Sequence, residues 1–520
     1  MKRTIEVPHP HPKNRRGLLP VAVAVSVALI VAACSGDDVA SDAVGAAVDA
    51  VSTTSSTPPT TNAPTTGQSA PPATEPESSC LEMLPDIDMT CGELTVPLDY
   101  DRPEGDTFSL PYVVLPALGD NPAAEPLVFM QGGPGYSTLS TVPLFVDWAE
   151  FREDRDMIFL EQRGTDPSGV FLRCKPDLST LDDIQECRDG WVADGIDLSA
   201  FTTLNAAKDL ALLRDTLGID QWHLLGGSYG TTLAMVAMDN DPDGTASVIL
   251  DAPTAPDVII YEADAESLLN AYSNVFADCA ADADCDRRHP DLFNTHLANF
   301  EGLDEEPWDI STTDLASSFG STIDPEFYNG VSRELLSGAP GVLPAFVTAI
   351  AERDVDALLE LDDDDDGGEE EGDDQPTGPG FAQGLWYSIY CAEEEPFFDR
   401  TNLGVETVDE WPAGTVEFLL RPVEQICEIW DVDPADPSDV DQIVSAIPTL
   451  ILAGEYDFTT PLRQGEIAAA GLSNVELIEV PSTGHTTLDN ACARTIMVDF
   501  LRAPGGDRSC LDDIAPIVWQ

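Results

Sequence analysis

Basic residues are scarce in this chain. Over 520 residues, 24 Lys and Arg stand against 95 Asp and Glu, a formal charge of −71 at pH 7. That balance argues against nucleic acid as a partner, because a phosphate backbone is bound through Lys and Arg. It favours solubility and suits salty surroundings, but it says little about fold. Histidine is scarcer still, with 6 in all, and no two cysteines form a C-x-x-C. A zinc site is therefore not expected, nor is any metal or cofactor. Within the acidic run 362–374, DDDDDGGEEEGDD, Asp362, Asp364, Asp366 and Gly367 fall at the spacing of a calcium loop. Asp373 stands where that loop requires Glu, however, and no helix follows, so the run reads as a solvated loop.

What is present begins with an export signal. Lys2, Arg3, Lys13, Arg15 and Arg16 precede an apolar stretch, Leu18 to Ala33, that is short for a membrane span and suits a secretory signal over residues 1–33. It closes on Val31-Ala32-Ala33-Cys34, which resembles a bacterial lipobox. The resemblance implies cleavage before Cys34 and a lipid on its sulfur, so that the chain is held on the membrane's outer face. The plainer alternative is a signal cut at a small residue with a cysteine nearby by accident. Residues 34–79 are rich in Ser, Thr, Pro and Ala and cannot bury enough apolar surface to offset the entropy of ordering. They read as a flexible tether.

There are 11 cysteines, and setting Cys34 aside leaves an even number. In an exported chain that suggests disulfides. Pairing sequence neighbours is the simplest scheme: 80–91, 174–187, 279–285, 391–427 and 492–510.

The stretch that organises the rest is Trp222 to Asp239, WHLLGGSYGTTLAMVAMD. An apolar strand-like run meets Gly226-Gly227-Ser228-Tyr229-Gly230, and a segment of helical character follows. This is G-x-S-x-G where its mechanics require it, between a strand and a helix, and it marks Ser228 as a nucleophile. Before it, Leu127–Met130 leads to Gln131-Gly132-Gly133-Pro134-Gly135, and Met157–Leu160 leads to Glu161-Gln162-Arg163-Gly164. Thr203–Leu217 has helical periodicity, and Val248–Leu250 leads to Asp251. Strands alternating with helices at this spacing predict an α/β fold, a mostly parallel sheet with helices on both faces. Acyl transfer needs two amide donors for the developing oxyanion. The amide of Tyr229 is one, and a glycine of 132–135 is the other, Gly133 ahead of Gly132. Among the histidines beyond the signal, His223 lies in a strand, and His289 and His296 fall among helices. His485 follows the strand Val475–Val480 through a loop, so elimination and location make it the base. Two aspartates, Asp251 and Asp457, each follow a strand and compete for the acid.

QGGPGYS, EQRGT, GGSYG, GEYDFTTP and STGH, in that order, resemble the α/β-hydrolase peptidases of the prolyl iminopeptidase and tripeptidyl aminopeptidase type. The likeness spans roughly residues 80–515, and exported actinobacterial members with a distinctive C-terminal hydrolase segment are the most similar kind. Gln131 stands where iminopeptidases often have His, and Glu161 where Asp is common before Gln-Arg-Gly. The resemblance assigns Asp457, in Gly454-Glu455-Tyr456-Asp457, as the acid and leaves Asp251 structural, giving the chain order Ser, Asp, His. Thr460 is placed to hydrogen-bond that carboxylate.

Between 256 and 440 the alternation stops, and helical stretches take over (Tyr261–Ala277, Pro325–Leu336, Val342–Glu360). This reads as a helical cap inserted between core segments 80–255 and 441–520, over the sheet edge where ligands bind. Within it, GFAQGLWYSIYCAEEEP ends in an acidic cluster. The resemblance implies that a cap acid there, Glu393 or its neighbour Glu394, receives a peptide substrate's free amine. The activity it implies is release of short peptides or residues from peptide N-termini. Two alternatives are a carboxylesterase with the same machinery and an inactive hydrolase serving as a surface binding lipoprotein.

Overall fold

A strand covered on both faces can be apolar at every position, whereas an edge strand alternates. Strands Leu127–Met130 (LVFM), Met157–Leu160 (MIFL) and Thr449–Gly454 (TLILAG) are buried at every residue. Strand Thr90–Pro97 buries only Leu94 and Val96. The first three lie inside a sheet and the last lies on its rim. The computed structural model describes residues 87–166, 169–174, 180–363, 380–398 and 423–520. The expected signal, lipid site Cys34, tether, Cys80 and most of the acidic run lie outside them.

In chain order the strands are β1 (Thr90–Pro97), β2 (Thr107–Leu115), β3 (Leu127–Met130), β4 (Met157–Leu160), β5 (Trp222–Gly227), β6 (Thr245–Asp251), β7 (Trp308–Asp309), β8 (Thr322–Ile323), β9 (Thr449–Gly454) and β10 (Val475–Val480). Eight of them form one sheet in the order β1-β2-β4-β3-β5-β6-β9-β10. β2 runs antiparallel to both its neighbours, and the other neighbours pair in parallel. This is the α/β-hydrolase arrangement, and β3, β5, β6 and β9 all end at the same edge.

Successive residues of a strand face opposite sides of the sheet. Val128, Leu224, Leu250 and Ile451 accordingly pack on one side, against helices α1 (Thr203–Leu217) and α2 (Tyr229–Asn240). Their neighbours Phe129, Leu225, Ile249 and Leu452 pack on the other, with Ile496, Met497 and Phe500 of the helix Ala491–Arg502. Burying a side chain of this size contributes roughly 1.5–3 kcal/mol, so each layer is held by many modest terms.

After β6 the chain turns helical, with α3 (Ile260–Ala281), α4 (Leu292–Glu305), α5 (Pro325–Gly338), α6 (Leu343–Glu352), α7 (Val355–Asp363) and α8 (Gln383–Glu393). α3 to α6 build a separate apolar cluster around Tyr272, Phe300, Tyr328 and Phe346, and Tyr456 and Phe458 beside Asp457 join it. One expectation needs correction. The helix predicted over Val342–Glu360 is two helices, because Arg353 adopts φ 51° and ends α6. The amides of Arg353 and Asp354 turn back onto Ile350 and Ala349, and the Asp354 carboxylate caps α7 through the amides of Asp356 and Ala357. The short antiparallel pair β7–β8 also interrupts these helices, and no strand pattern in the sequence announces it.

Four disulfides join 174 to 187, 279 to 285, 391 to 427 and 492 to 510, each a pair of sequence neighbours. Cys91 is disulfide-bonded as well, and the pairing 80–91 falls on a residue outside those described. The bridge 391–427 closes the longest of these loops and fastens the end of α8, where Glu393 sits.

Candidate active site

Ser228 stands between β5 and α2 at φ 54° and ψ −128°, a conformation that costs a residue with a side chain about 1–3 kcal/mol. The flanking glycines make the turn possible. A Cβ at Gly226 would overlap the Gly230 carbonyl, and one at Gly230 would overlap that of Met130. The Ser228 amide donates to the Asp251 carbonyl at 2.9 Å, which ties the turn to the end of β6.

Two further loops at the same sheet edge complete a chain of hydrogen bonds. His485, after β10, places Nε2 3.0 Å from Ser228 Oγ and Nδ1 2.9 Å from Asp457 Oδ2. Asp457, after β9, is 2% exposed. Its Oδ1 accepts the amides of Thr459 and Thr460 at 2.8 and 2.9 Å, and its Oδ2 accepts the Thr460 hydroxyl at 2.8 Å. Burial opposes ionisation of Asp457, but His485 and the Thr460 donors outweigh it and hold the pKa below the ordinary range. Burial likewise opposes protonation of His485, and there Asp457, aided by Asp251, prevails and raises the pKa. A neutral imidazole beside a serine hydroxyl, turned by a buried carboxylate, is the arrangement that removes a serine proton.

Asp251 does a different job. Its carboxylate accepts the Thr487 amide and hydroxyl and the Leu488 amide, so it holds the loop that carries His485 without touching the ring. Burial pushes its pKa up to about 6 against those donors. His223 Nδ1 lies 2.7 Å from Ser247 Oγ, within the sheet layer and away from the site.

The glycines after β3 lie against the nucleophile. A Cβ at Gly132 would fall 2.8 Å from Ser228 Cβ, so only glycine fits there. The Gly132 amide is occupied, donating to Gln131 Oε1 at 2.9 Å. Gly133, at φ 119°, donates to no protein acceptor among the described residues. Tyr229 opens α2, where the first amides of a helix have no partner within it. Among the described residues, Gly133 and Tyr229 are thus two amides of the loops around Ser228 with no protein acceptor.

The acids of the cap meet the core one layer away. Glu393 accepts the Thr203 amide and hydroxyl, both at 2.6 Å, and Thr203 Oγ1 lies 2.9 Å from the Tyr229 hydroxyl. Because the Thr203 proton goes to Glu393, the tyrosine donates. Glu394 accepts the Ile260 amide at 3.0 Å. Both acids line a cavity of about 30 Å³ shared with Tyr229, Thr232, Thr254 and Asp439, room for one or two water-sized groups. Ser228 and His485 do not line it. Burial, with repulsion from Asp439, pushes the Glu393 pKa up to about 7 although Thr203 opposes the shift. Thr203 and Asp439 carried no sequence signal, since neither belongs to a motif.

Family models and sequence relatives agree with this architecture. The family model for the alpha/beta hydrolase fold matches residues 125–291, and one described as TAP-like protein matches residues 417–510. Serine protease Hip1 of Mycobacterium tuberculosis is 25% identical over 446 residues, covering 76% of this chain and 82% of that protein. Tripeptidyl aminopeptidase of Streptomyces lividans is 29% identical over 199 residues, 33% of this chain and 37% of its own. A probable proline iminopeptidase of Leptolyngbya boryana is 29% identical over 130 residues, 25% of this chain and 32% of its own. The crystal structure of a proline iminopeptidase from Mycobacterium smegmatis superposes with a TM-score of 0.40 at 17% identity, over 79% of this chain and 98% of that one. Sheet order and family models lead to one conclusion: the chain is a serine hydrolase with the α/β-hydrolase fold, with serine peptidases among its sequence relatives.

Proposed function

We propose that the chain is an exported serine exopeptidase that removes short peptides or residues from peptide N-termini. The observation that carries the hydrolytic step is the hydrogen-bonded row Ser228–His485–Asp457. Ser228 attacks the scissile carbonyl while its proton passes to His485 Nε2. The oxyanion is held by the amides of Tyr229 and Gly133, with Gly132 giving close approach. His485 then protonates the leaving amine, and water releases the acyl group by the same route in reverse. Asp457 orients His485 and stabilises the imidazolium.

The choice of a peptide substrate is supported by the peptidase relatives and by the carboxylates of Glu393, Glu394 and Asp439 around one small cavity. An ammonium entering a closed site loses its hydration, and a carboxylate must compensate. Each Glu393 oxygen keeps a second lone pair beyond its bond to Thr203. One observation favours the second reading, a carboxylesterase: Glu393 already has a partner on each oxygen. A substrate panel separates the two. Free-amine di- and tripeptide anilides are expected to react at least about tenfold faster than their acetylated forms, which takes about 1.4 kcal/mol of differential binding. Glu393 is raised to about 7 and is charged only above it, so that preference should fade as the pH drops through this value. Equal rates on free and blocked peptides would move the chain to the esterases.

The proposal includes attachment to the outer membrane face through a lipid on Cys34. Among the described residues no helix is long and apolar enough to cross a membrane. Cys34→Ala is expected to release the protein from the membrane fraction or leave it unprocessed. Wild-type protein lacking an acyl mass at Cys34 would end this part of the proposal.

A further inference from the structure

We infer that Glu161 and Gln162, the first two residues after β4, are positioning residues that set both halves of the oxyanion hole relative to each other. This inference rests on the serine hydrolase reading of Ser228.

The loop carrying Gly132 and Gly133 leaves β3 at Met130 and must be fixed at a second point if its amides are to hold still. That point is Glu161, which is 1% exposed. Its Oε2 accepts the Ser137 hydroxyl and the Leu139 amide, each at 2.9 Å, and its Oε1 accepts the Thr165 hydroxyl at 2.6 Å. Ser137 is itself tied forward, since its oxygens accept the amide and hydroxyl of Ser140. The loop is therefore an arch with one foot in the sheet and the other on a buried carboxylate.

The next residue reaches the other donor. Gln162 Nε2 donates to the Tyr229 hydroxyl at 3.3 Å, and that hydroxyl is also bonded to Thr203 on α1. Tyr229, the residue next after Ser228, is thus held by its side chain. The turn that does both is itself immobilised. Arg163 is 0% exposed and forms a two-pronged pair with Asp209, both bonds at 2.7 Å, and donates to the Ala200 carbonyl at 2.8 Å. Preorganised donors are effective because they need not move when the charge develops, so a rigid shared anchor serves both amides.

The contacts make no use of the Glu161 charge as such. In Glu161→Gln the amide oxygen can keep Ser137 and Leu139, while the NH₂ faces Thr165 Oγ1. That hydroxyl then donates to the Gln162 carbonyl, already 2.8 Å away.

The test uses the full chain and an aryl ester, so the outcome does not depend on peptide preference. Rates are divided by active sites titrated with a phosphonate. Glu161→Ala is expected to lower kcat roughly 10–100-fold with KM changed less than about threefold, part of the 10²–10³ that one donor is worth. Glu161→Gln should stay within about threefold of wild type, and Tyr229→Phe should lose about tenfold in kcat. Where Glu161→Ala does not fold, Ser137→Ala removes one tie and should cost about fivefold in kcat. Wild-type kcat per titrated site in Glu161→Ala or in Ser137→Ala overturns the inference, as does a Glu161→Gln enzyme as slow as the alanine variant. Failure of the wild type to take up phosphonate would instead overturn the Ser228 reading itself.

Discussion

Folded Ser228→Ala protein is expected to hydrolyse both esters and peptide anilides roughly 10⁴–10⁶-fold more slowly in kcat than wild type. The reason is geometric. Ser228 Oγ is the atom within 3.0 Å of His485 Nε2, and both lie at the edge where β5, β9 and β10 end. Removing the hydroxyl leaves the imidazole without the nucleophile it would deprotonate. The amides of Tyr229 and Gly133 remain, so on the roles proposed for them catalysis above the uncatalysed rate should persist. Alanine inherits the φ of 54°, so the turn keeps its strain, and circular dichroism should show an unchanged fold. A folded variant active within about tenfold of wild type would remove Ser228 from its assigned role.

How much of this could be read beforehand depended on sequence distance. The turn at Ser228 was legible because everything it needs is local: a strand, two glycines against carbonyls, and a helix. The helix Thr203–Leu217 was legible for the same reason, and its ends were predicted as found. Asp457 and His485 could be named because each follows a strand, although pairing them required a family resemblance. What could not be read are the ties between distant segments. Glu393 bonds Thr203 across 190 residues and Asp251 bonds Thr487 across 236. Neither pair shares a periodicity or a motif, and only the docking of cap on core brings the first together. Glu161 stands out in the sequence where Asp is common before Gln-Arg-Gly, yet its partners Ser137 and Leu139 belong to another loop. The sequence does not announce the break at Arg353, because a left-handed arginine lacks the glycine that usually marks a helix end.

Asp457→Asn should lower kcat by about 10³–10⁴-fold, less than the loss from removing the nucleophile. The size follows from how the carboxylate is held. Two amides donate to Oδ1, so in the asparagine variant the carbonyl oxygen must take that place. The NH₂ group then occupies the Oδ2 position, 2.9 Å from His485 Nδ1, and donates to it. The ring is forced to carry its own proton on Nε2, where it can no longer accept one from Ser228. A second effect concerns pH. In wild type the Asp457 charge outweighs burial and raises the His485 pKa, so activity is lost as pH falls through a value above the ordinary 6.5. With Asp457 neutral, burial acts against Asp251 alone, and the residual acid limb of kcat/KM should move to lower pH. Asp251→Asn is the control. It loosens the loop of Thr487 without touching the imidazole, so its loss should stay near about tenfold, with the limb displaced far less. If Asp251→Asn proves the more damaging of the two in soluble, folded protein, then the acid was assigned to the wrong strand.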